Sequence, residues 1–420
     1  MTKYIKRFGL TSKYEEYINS DIALLPNVSL TNDNNIVHYN PKVPNYLKFV
    51  AEEDNSTISL DSATSPDIKY SLNGGEWTQW DYSAITLNTG DTLYMKGNNS
   101  NVFNTSNDYF NQFKMTGKIG ASGNIMSLLY EDDYEGKLTI PGNYCFCYMF
   151  YYCKSLTNAP ELPATTLVDY CYQYMFKGCT SLINAPELPA TTLAKSCYQY
   201  MFQGCTSLTN APELPATTLV NRCYDSMFKG CTSLTNAPEL PATTLAVSCY
   251  YEMFNSCTSL TTAPELPATA LAVSCYTRMF QGCASLTNAP ELPATTLIGG
   301  CYSGMFDGCS AITTVPTTLP ATTLTDNCYN SMFQGCISLI NAPELPATTL
   351  ANNCYSYMFS GCTNLNYIKM LASDISATRC LSGWVRGVSS TGTFVKHPNM
   401  TSLPTGDSGI PKNWTVQDAA

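Results

Sequence analysis

The chain has 420 residues, of which 13% are charged, and it carries a net charge of −10. This charged fraction is well below the roughly 25% of typical soluble domains. An acidic chain without a basic patch is not expected to neutralise phosphates, so nucleic-acid binding is not predicted. No apolar stretch reaches the roughly 18 residues of a membrane-spanning helix, so no membrane span is predicted.

The N-terminal segment, residues 1–43, is predicted to be an attachment or oligomerisation arm. It begins MTKYIKRFGL, which has the positive residues of a signal peptide. It lacks the apolar core and the small-residue cleavage site that such a peptide needs. We therefore expect no classical secretion signal in the chain as written.

Residues 44–102 are predicted to form a small, all-β, immunoglobulin-like sandwich. Asn73-Gly74-Gly75 is a strong signal for a hairpin turn between two of its strands. Residues 103–141 are expected to follow as an N-terminal cap on the repeats. The segments that predict strands are Tyr46–Val50, Thr57–Leu60, Ile68–Leu72, Trp77–Trp80 and Thr92–Met95.

A repeat of 26 residues dominates the rest of the chain and predicts a stacked solenoid. The block C-Y-x-x-M-F-x-G-C starts at Cys171 and recurs through Cys354, after a degenerate first copy at Cys145. One of the later steps is 27 residues long. A single copy cannot bury its apolar face, whereas nine stacked copies bury a continuous core. Residues 142–371 are therefore assigned to the solenoid.

Each copy is predicted to contain one short helix and one extended segment, which makes the whole an α+β repeat solenoid. In the copy that begins at Cys171, apolar residues stand at positions 0, 1, 4, 5 and 8, which fall on one arc of a helix. Pro189 breaks any helix in the extended segment that follows. The core of the stack is predicted to contain Cys171, Met175, Phe176, Cys179, Cys197, Cys205, Cys223 and Cys231.

The last segment, residues 372–420, is expected to cap the open end of the solenoid. Trp384 and Trp414 supply large apolar side chains for this cap. The sequence at Gly387–Phe394 predicts a final hairpin.

Two cysteines in each copy leave three interpretations open. A disulfide within one copy is disfavoured, because eight residues of helix would separate the Cα atoms by about 12 Å, beyond the limit of ~7 Å. Disulfides between neighbouring copies satisfy that limit but would distort every turn. Zinc needs four converging ligands, and the chain has only two histidines. We favour free thiols that pack as small hydrophobic groups, with no metal and no cofactor.

Two polar residues recur at fixed positions of the copies. The glutamates form a carboxylate row if the copies stack at about 5 Å, and we interpret this row as solvated. A stripe that binds divalent cations or cationic ligands is the alternative. The asparagines are expected to satisfy backbone groups in turns. The glutamate row comprises Glu161, Glu187, Glu213, Glu239, Glu265, Glu291 and Glu344. The asparagine row comprises Asn158, Asn184, Asn210, Asn236, Asn288 and Asn341.

Positions that differ among the copies separate a variable surface from the scaffold. They lie just before each predicted helix and on its outward side, and tyrosine is frequent among them. Exposed tyrosines beside small polar residues are typical of binding surfaces, with neutral variation on a solvated face as the alternative. As a hypothesis, the partner contacts Tyr170, Gln173, Tyr174, Gln199, Tyr200, Arg222, Asp225, Tyr251, Glu252, Arg278, Asn330 and Tyr357.

The repeat resembles that of the BspA-like leucine-rich repeat family, whose unit carries an A-F-x-x-C-x-x-L core followed by an extended segment with proline. The matching core here is M-F-K-G-C-T-S-L at Met175–Leu182, and the resemblance covers about Gly142–Ile368. A Cys-Tyr start replaces the apolar-Gly start that is more usual in the family. The resemblance implies a leucine-rich repeat solenoid with a binding role.

The first residues are similar to the N-terminal segment of proteins in phages of gut bacteria, where a small β domain and BspA-like repeats follow. Tyr4–Phe8, Leu25–Ser29 and Val37–Pro41 carry this similarity. It implies a virion-associated fibre or appendage protein on the virion surface, attached to other virion proteins through residues 1–43.

The leading expectation is therefore a phage virion protein whose solenoid binds a host-surface glycan or protein. A bacterial cell-surface adhesin of the same repeat family, exported by another route, is the alternative. A glycan-active enzyme is disfavoured, because two histidines and no nucleophile motif leave few groups for catalysis. Oligomeric state is left open, with a homotrimer as one option.

Overall fold

A computed structural model describes residues 44–100, 103–400 and 403–420, together with the backbone of two short segments nearer the N-terminus. Those segments are strands β1 (Val28–Leu30) and β2 (Val37–Tyr39), which pair in antiparallel orientation. The chain divides into a unit of residues 1–45 and a unit of residues 46–420. Apart from these two strands, the predicted attachment arm at residues 1–43 lies outside the described residues.

Two sheets open the second unit. One has the strand order β11-β10-β3-β8-β5-β6, and the other has the order β7-β4-β9. Alternating burial along β3 and β4 places every second side chain between the sheets, as a half-buried strand requires. The strands are β3 (Leu47–Ala51), β4 (Ser56–Asp61), β5 (Lys69–Leu72), β6 (Thr78–Gln79), β7 (Ile85–Leu87), β8 (Thr92–Lys96), β9 (Gln112–Thr116), β10 (Ile119–Ser122) and β11 (Leu156–Asn158).

Aromatic rings join the two sheets. Phe49 on β3 lies 5.3 Å from Phe113 on β9, measured between ring centroids, and Trp80 stacks on Phe113 at 6.2 Å. All five predicted strands are present within two residues of their expected bounds, whereas β7 was missed. The assignment as an immunoglobulin-like domain stays a prediction.

The turn between β5 and β6 confirms the hairpin signal. Asn73 and Gly74 have φ values of 51° and 73°, and the N–H of Gly75 donates to the carbonyl of Leu72 at 2.9 Å. Positive φ at both central residues defines the type I′ turn that such sequences favour.

The sheets extend past residue 102, the predicted end of the small β domain. β9 and β10 follow residue 103, and each pairs with a strand of the preceding segment. β10 also pairs in parallel with β11, which belongs to the first coil of the solenoid. The N-terminal end of the solenoid is therefore hydrogen-bonded to the sandwich, because β10 supplies the strand that the first coil would otherwise leave unpaired.

The cysteine-containing segment of each coil is a ribbon of overlapping tight turns, so the predicted helix is wrong. Along this ribbon, backbone N–H groups donate in turn to a carbonyl of the same coil and to a carbonyl of the next coil. The N–H of Gln173 donates to the carbonyl of Tyr170 within the coil at 3.1 Å, and the N–H of Tyr174 donates to Gln199 of the next coil at 3.0 Å. Within the described residues the only α-helix is the short α1 (Ser127–Tyr130).

The ribbon has a four-residue period. Tyr170, Tyr174 and Gly178 have φ values of 62°, 58° and 75°, so one residue in four is left-handed. Positions 0, 1, 4, 5 and 8 point inward in a turn ribbon with four residues per repeat, and they would also point inward in an α-helix with 3.6 residues per turn. The sequence pattern therefore identifies the buried positions even though the helix is absent.

The opposite side of each coil is extended and pairs in parallel with its neighbours at isolated residues. Asn158 pairs with Asn184, and Thr166 pairs with Thr192. Such pairing connects most successive coils, so both sides of the coil link the stack through main-chain hydrogen bonds.

Columns of identical side chains fill the core. Phe176 stacks on Phe202 at 5.5 Å, and Tyr172 stacks on Tyr198 at 5.8 Å, with planes within 6° of parallel. These columns continue through every coil up to Phe359 and Tyr355. None of the predicted core residues has any exposed surface: Cys171, Met175, Phe176, Cys179, Cys197, Cys205, Cys223 and Cys231.

All 20 cysteines are free and buried. From the second coil onward, the second cysteine donates its S–H to a phenylalanine carbonyl of the preceding coil, as in Cys205 to Phe176 at 3.0 Å. Burial raises the pKa of the Cys205 thiol to about 12. The thiol is therefore a small hydrophobic group with one weak donor that links adjacent coils.

The C-terminal segment continues the stack. Strands β12 (Tyr367–Met370), β13 (Thr393–Lys396) and β14 (Thr415–Asp418) form a parallel sheet, so the predicted hairpin at Gly387–Phe394 is wrong. Trp384 is fully buried 6.1 Å from Phe359, where it covers the end of the phenylalanine column.

Candidate functional site

The candidate site lies on the outer side of the turn ribbon. In the coil that starts at Cys171, the side chains there belong to Gln173, Tyr174 and Lys177. We call the surface formed by these three positions in successive coils the turn face. It varies from coil to coil, whereas the inward side does not.

A buried polar row lies within the turn face. Gln173 Nε2 donates to Gln199 Oε1 at 2.6 Å, and Gln199 Nε2 donates to Asp225 Oδ2 at 2.7 Å. These three side chains are only 3–4% exposed, which corrects the expectation that they face solvent. The coils stack so closely that each side chain at this position covers the next, so this row is structural polar packing.

We expect Asp225 to make the folding stability sensitive to pH. Burial raises the pKa of its carboxyl group, and hydrogen bonds from Ser226 and Gln199 oppose this rise only in part. A carboxyl group whose pKa is raised by folding stabilises the fold at acid pH, and this contribution is lost as pH rises through the folded-state pKa.

The Asp225→Asn variant is expected to remove this contribution to the pH dependence. Asparagine keeps an oxygen for Gln199 but carries no charge to desolvate. Urea unfolding between about pH 4 and about pH 8 should give a smaller drop in stability across the range than in the wild type. An unchanged slope would show that Asp225 is not the titrating group.

Four aromatic rings form an outer stack at the N-terminal end of the turn face. Phe110 lies 4.3 Å from Tyr148, Tyr148 lies 4.6 Å from Tyr174, and Tyr174 lies 4.7 Å from Tyr200, between ring centroids. We call these four residues the outer aromatic stack. It ends at Tyr200 because the next coil carries Ser226 at the same position. Tyr148, Tyr174 and Tyr200 are half-buried, so part of each side chain remains accessible to solvent.

A lysine accompanies the outer aromatic stack. Lys177 Nζ lies 5.1 Å from the ring of Tyr174 and 5.7 Å from that of Tyr200, within cation–π range. Burial, with a smaller effect from Lys229, lowers the pKa of Lys177. Burial also raises the pKa of Tyr200 to about 12. The stack is therefore a neutral aromatic edge beside the positive charge of Lys177.

The first coil supplies part of this stack, which the sequence analysis did not identify. The block does not identify Tyr148, because the first copy, Y-C-F-C-Y-M-F at 144–150, departs from it. Alignment of that copy on the cysteines places Tyr148 in the same column as Tyr174. Phe110 precedes the repeats, so only the fold brings it there.

The tyrosines of this column occupy a left-handed backbone position. Tyr148, Tyr174 and Tyr200 each have φ of 58°. At the equivalent left-handed position four residues later the chain uses glycine, as at Gly178 and Gly204. A non-glycine residue in this conformation costs roughly 1–2 kcal/mol. Other coils keep the same conformation with Ser226 or Glu252 at this position, so it belongs to the turn ribbon as a whole.

The middle of the turn face is charged. Glu252, which is 8% exposed, pairs with Lys229 at 2.5 Å and with Arg278 at 3.5 Å. Arg278 and Arg222 are exposed, while Tyr251 and Asn330 are half-buried. This cluster lies next to the C-terminal end of the outer aromatic stack, since Glu252 and Arg222 both affect the pKa of Tyr200.

Two of the predicted tyrosines lie apart from both groups. Tyr170 stacks on Tyr144 at 4.6 Å, with Lys195 Nζ 5.4 Å from its ring. Tyr357 is 43% exposed near the C-terminal end. The twelve predicted residues thus fall into several groups along the solenoid rather than one continuous patch.

The glutamate row lies on the extended side of the coils. Glu239 and Glu265 are exposed at the mouth of a shallow groove formed by the proline-rich segments of two coils. Glu344 instead pairs with Lys369 at 3.0 Å. Across the described ranges, no group of three or more His, Cys, Asp or Glu side chains is placed to hold a metal ion.

A stack of coils of nearly constant length, with leucine, cysteine and aromatic columns inside, defines a leucine-rich repeat protein. The family model described as BspA type leucine rich repeat region matches residues 142–287 and 273–379, in six copies. Together these matches cover more than half of the 420 residues, and the chain belongs to this family.

The chain is also similar to a solved structure, that of a leucine-rich repeat protein from Bacteroides ovatus, at 15% identity. The similarity covers 76% of this chain and 98% of that one, with a TM-score of 0.29. No curated protein matches the chain. Among the residues with described positions, no helix has the length and apolar character to cross a bilayer.

Proposed function

We propose that this chain is a non-enzymatic binding protein of a phage virion surface, whose turn face contacts a glycan or protein of the host cell. Residues 1–43 would attach it to other virion proteins, and the immunoglobulin-like sandwich would act as a spacer. The solenoid, with nine copies of the repeat, would then present the turn face. The family supports a binding role, and the similarity of the N-terminal segment to phage proteins supports the virion.

The outer aromatic stack is the observation that carries the binding role. Its tyrosines are half-buried, so part of each side chain remains accessible, and Lys177 lies 5.1 Å from the ring of Tyr174. Rigid tyrosines lose little conformational entropy on binding and offer both apolar area and a hydrogen-bonding group. This combination suits sugars as well as polar protein surfaces.

The double variant Tyr174→Ala/Tyr200→Ala is expected to lose binding to host cells by about tenfold or more, since buried tyrosines dominate many interfaces. Labelled protein would be titrated onto a panel of intact gut bacteria and the bound fraction measured. Periodate treatment of the cells removes glycan diols, and protease treatment removes proteins, so the two treatments identify the ligand class.

A tyrosine outside the turn face provides the control. Tyr94 on β8 is half-buried in the sandwich, and Tyr94→Ala should bind as the wild type does. Unchanged binding in the Tyr174→Ala/Tyr200→Ala chain would refute the assignment of the site.

A separate experiment tests the proposed location on the virion surface. Mass spectrometry of purified phage particles should detect this chain among the virion proteins. Its absence from particles, with detection on bacterial cell envelopes, would favour the alternative, a cell-surface adhesin of the same family. Release of sugars from a host glycan by the purified protein would contradict the non-enzymatic role.

A further inference from the structure

A second surface runs along the solenoid at the residue two positions before Cys171 and before each equivalent cysteine up to Cys380. Its polar members link neighbouring coils. Asp169 Oδ1 accepts the N–H of Lys195 at 3.0 Å, and Asp326 Oδ1 accepts the N–H of Asn352 at 3.1 Å. We call this surface the pre-turn row. It comprises Asp169, Lys195, Asn221, Val247, Val273, Gly299, Asp326, Asn352 and Thr378, with Arg222 and Arg379 directly beside it.

The centre of the pre-turn row is apolar. Val247 and Val273 are 41% and 48% exposed, and Gly299 follows in the next coil. A valine side chain cannot accept the N–H of the next coil, so the link made by aspartate or asparagine is lost here. A partner surface that covers Val247 and Val273 would bury apolar area that a single chain leaves in water.

Charges flank this centre with opposite sign. Arg222 lies two coils before Val273, and Asp326 lies two coils after it. Asp169 lies four coils before Val273, and Arg379 lies four coils after it. Three of these charged residues are exposed and Asp169 is half-buried. The pre-turn row is therefore complementary to its own reversed copy at these two pairs of charges, and its remaining charged member, Lys195, meets the neutral Asn352 of that copy.

We propose that the pre-turn row binds a second copy of this chain in antiparallel orientation, around a two-fold axis at Val273. Arg222 then faces the partner's Asp326, and Asp169 faces the partner's Arg379. Val247 lies over the partner's Gly299, which has no side chain to clash. Isologous dimers pair one surface with itself in this way.

The size of the surface predicts a weak dimer. Eight coil steps of about 4.8 Å and a width of about 10 Å give roughly 400 Å² per copy. A standard interface buries roughly 800 Å² per partner. We therefore expect rapid exchange between monomer and dimer, with a Kd on the order of 100 µM.

Sedimentation velocity of the full chain, from about 5 to about 500 µM, tests the proposal. The wild type should show a sedimentation coefficient that rises with concentration. Val273→Asp places two carboxylates together on the axis and should weaken association by about tenfold or more. Arg222→Glu and Asp326→Arg should each weaken it, because each brings like charges together. The double variant Arg222→Glu/Asp326→Arg restores both pairs with exchanged signs and should recover association.

Ile183→Asp is the matched control, because Ile183 is 47% exposed on the extended side of its coil, away from the pre-turn row. This variant and Tyr174→Ala/Tyr200→Ala should associate like the wild type, which separates this proposal from the binding role of the turn face. Circular dichroism verifies that each variant is folded. A wild type that stays monomeric throughout, a Val273→Asp chain that associates normally, or a double variant that does not recover would overturn the proposal.

Discussion

Phe254→Ala is expected to lower the free energy of unfolding by roughly 3–5 kcal/mol, the usual cost of removing a buried phenylalanine. Phe254 has no exposed surface and lies 5.6 Å from both Phe228 and Phe280. The substitution removes both ring contacts, each worth roughly 0.5–1.5 kcal/mol beyond the buried area. It also leaves a cavity at the middle of the column.

The solenoid makes this loss more consequential than in a globular core. Each coil contacts only its neighbours, so a weak coil in the middle uncouples the two halves. Urea unfolding followed by circular dichroism should show a lower midpoint and a broader transition. Phe254→Leu also lacks the ring but fills more of the cavity, so it should lower stability by less than Phe254→Ala does.

An exposed residue provides the reference. Ile183→Ala, at a side chain with 47% exposure, should change stability by less than about 0.5 kcal/mol. A loss below about 1 kcal/mol in Phe254→Ala would mean that the phenylalanine column does not couple the coils.

The native chain is expected to resist thiol reagents. All 20 cysteines are buried, and burial raises the pKa of thiols such as Cys205 to about 12. At pH 8 such a thiol is ionised to roughly one part in 10,000, and only the thiolate reacts. Labelling with Ellman's reagent should be at least about 100-fold slower in the native chain than in guanidinium, where all cysteines become accessible.

Cys380 should be the first of the 20 cysteines to react with Ellman's reagent. It lies at the C-terminal end of its column and is 4% exposed, whereas most other cysteines have no exposed surface. Cys380→Ala should therefore remove the earliest phase of labelling. Rapid reaction of many thiols in the native chain, or a mass deficit that reduction restores, would contradict the free, buried state.

Several features of the fold could be predicted from the sequence alone. The columns of Cys171, Met175 and Phe176 followed from the spacing of apolar residues, because only a stacked core explains a repeated block of that kind. The turn at Asn73-Gly74 followed from local chemistry, since few residue pairs tolerate two positive φ values. The BspA-type family was likewise evident from the M-F-x-G-C core.

The path of the backbone through the ribbon was decided only by contacts between coils. An inward pattern at positions 0, 1, 4, 5 and 8 is compatible with a helix and with a four-residue turn period. The turn ribbon exists because every second N–H, such as that of Tyr174, donates to the next coil, and no single copy contains that acceptor.

The sequence by itself determined the repeat, its core columns and the family. The tertiary structure decided which variable side chains are available to a partner. Gln173, Gln199 and Asp225 vary like surface residues, yet close stacking of the coils buries them as a hydrogen-bonded row. The same stacking brings Phe110 and Tyr148 against Tyr174. Burial and alignment across coils depend on distances between segments far apart in the chain, which local sequence patterns do not encode.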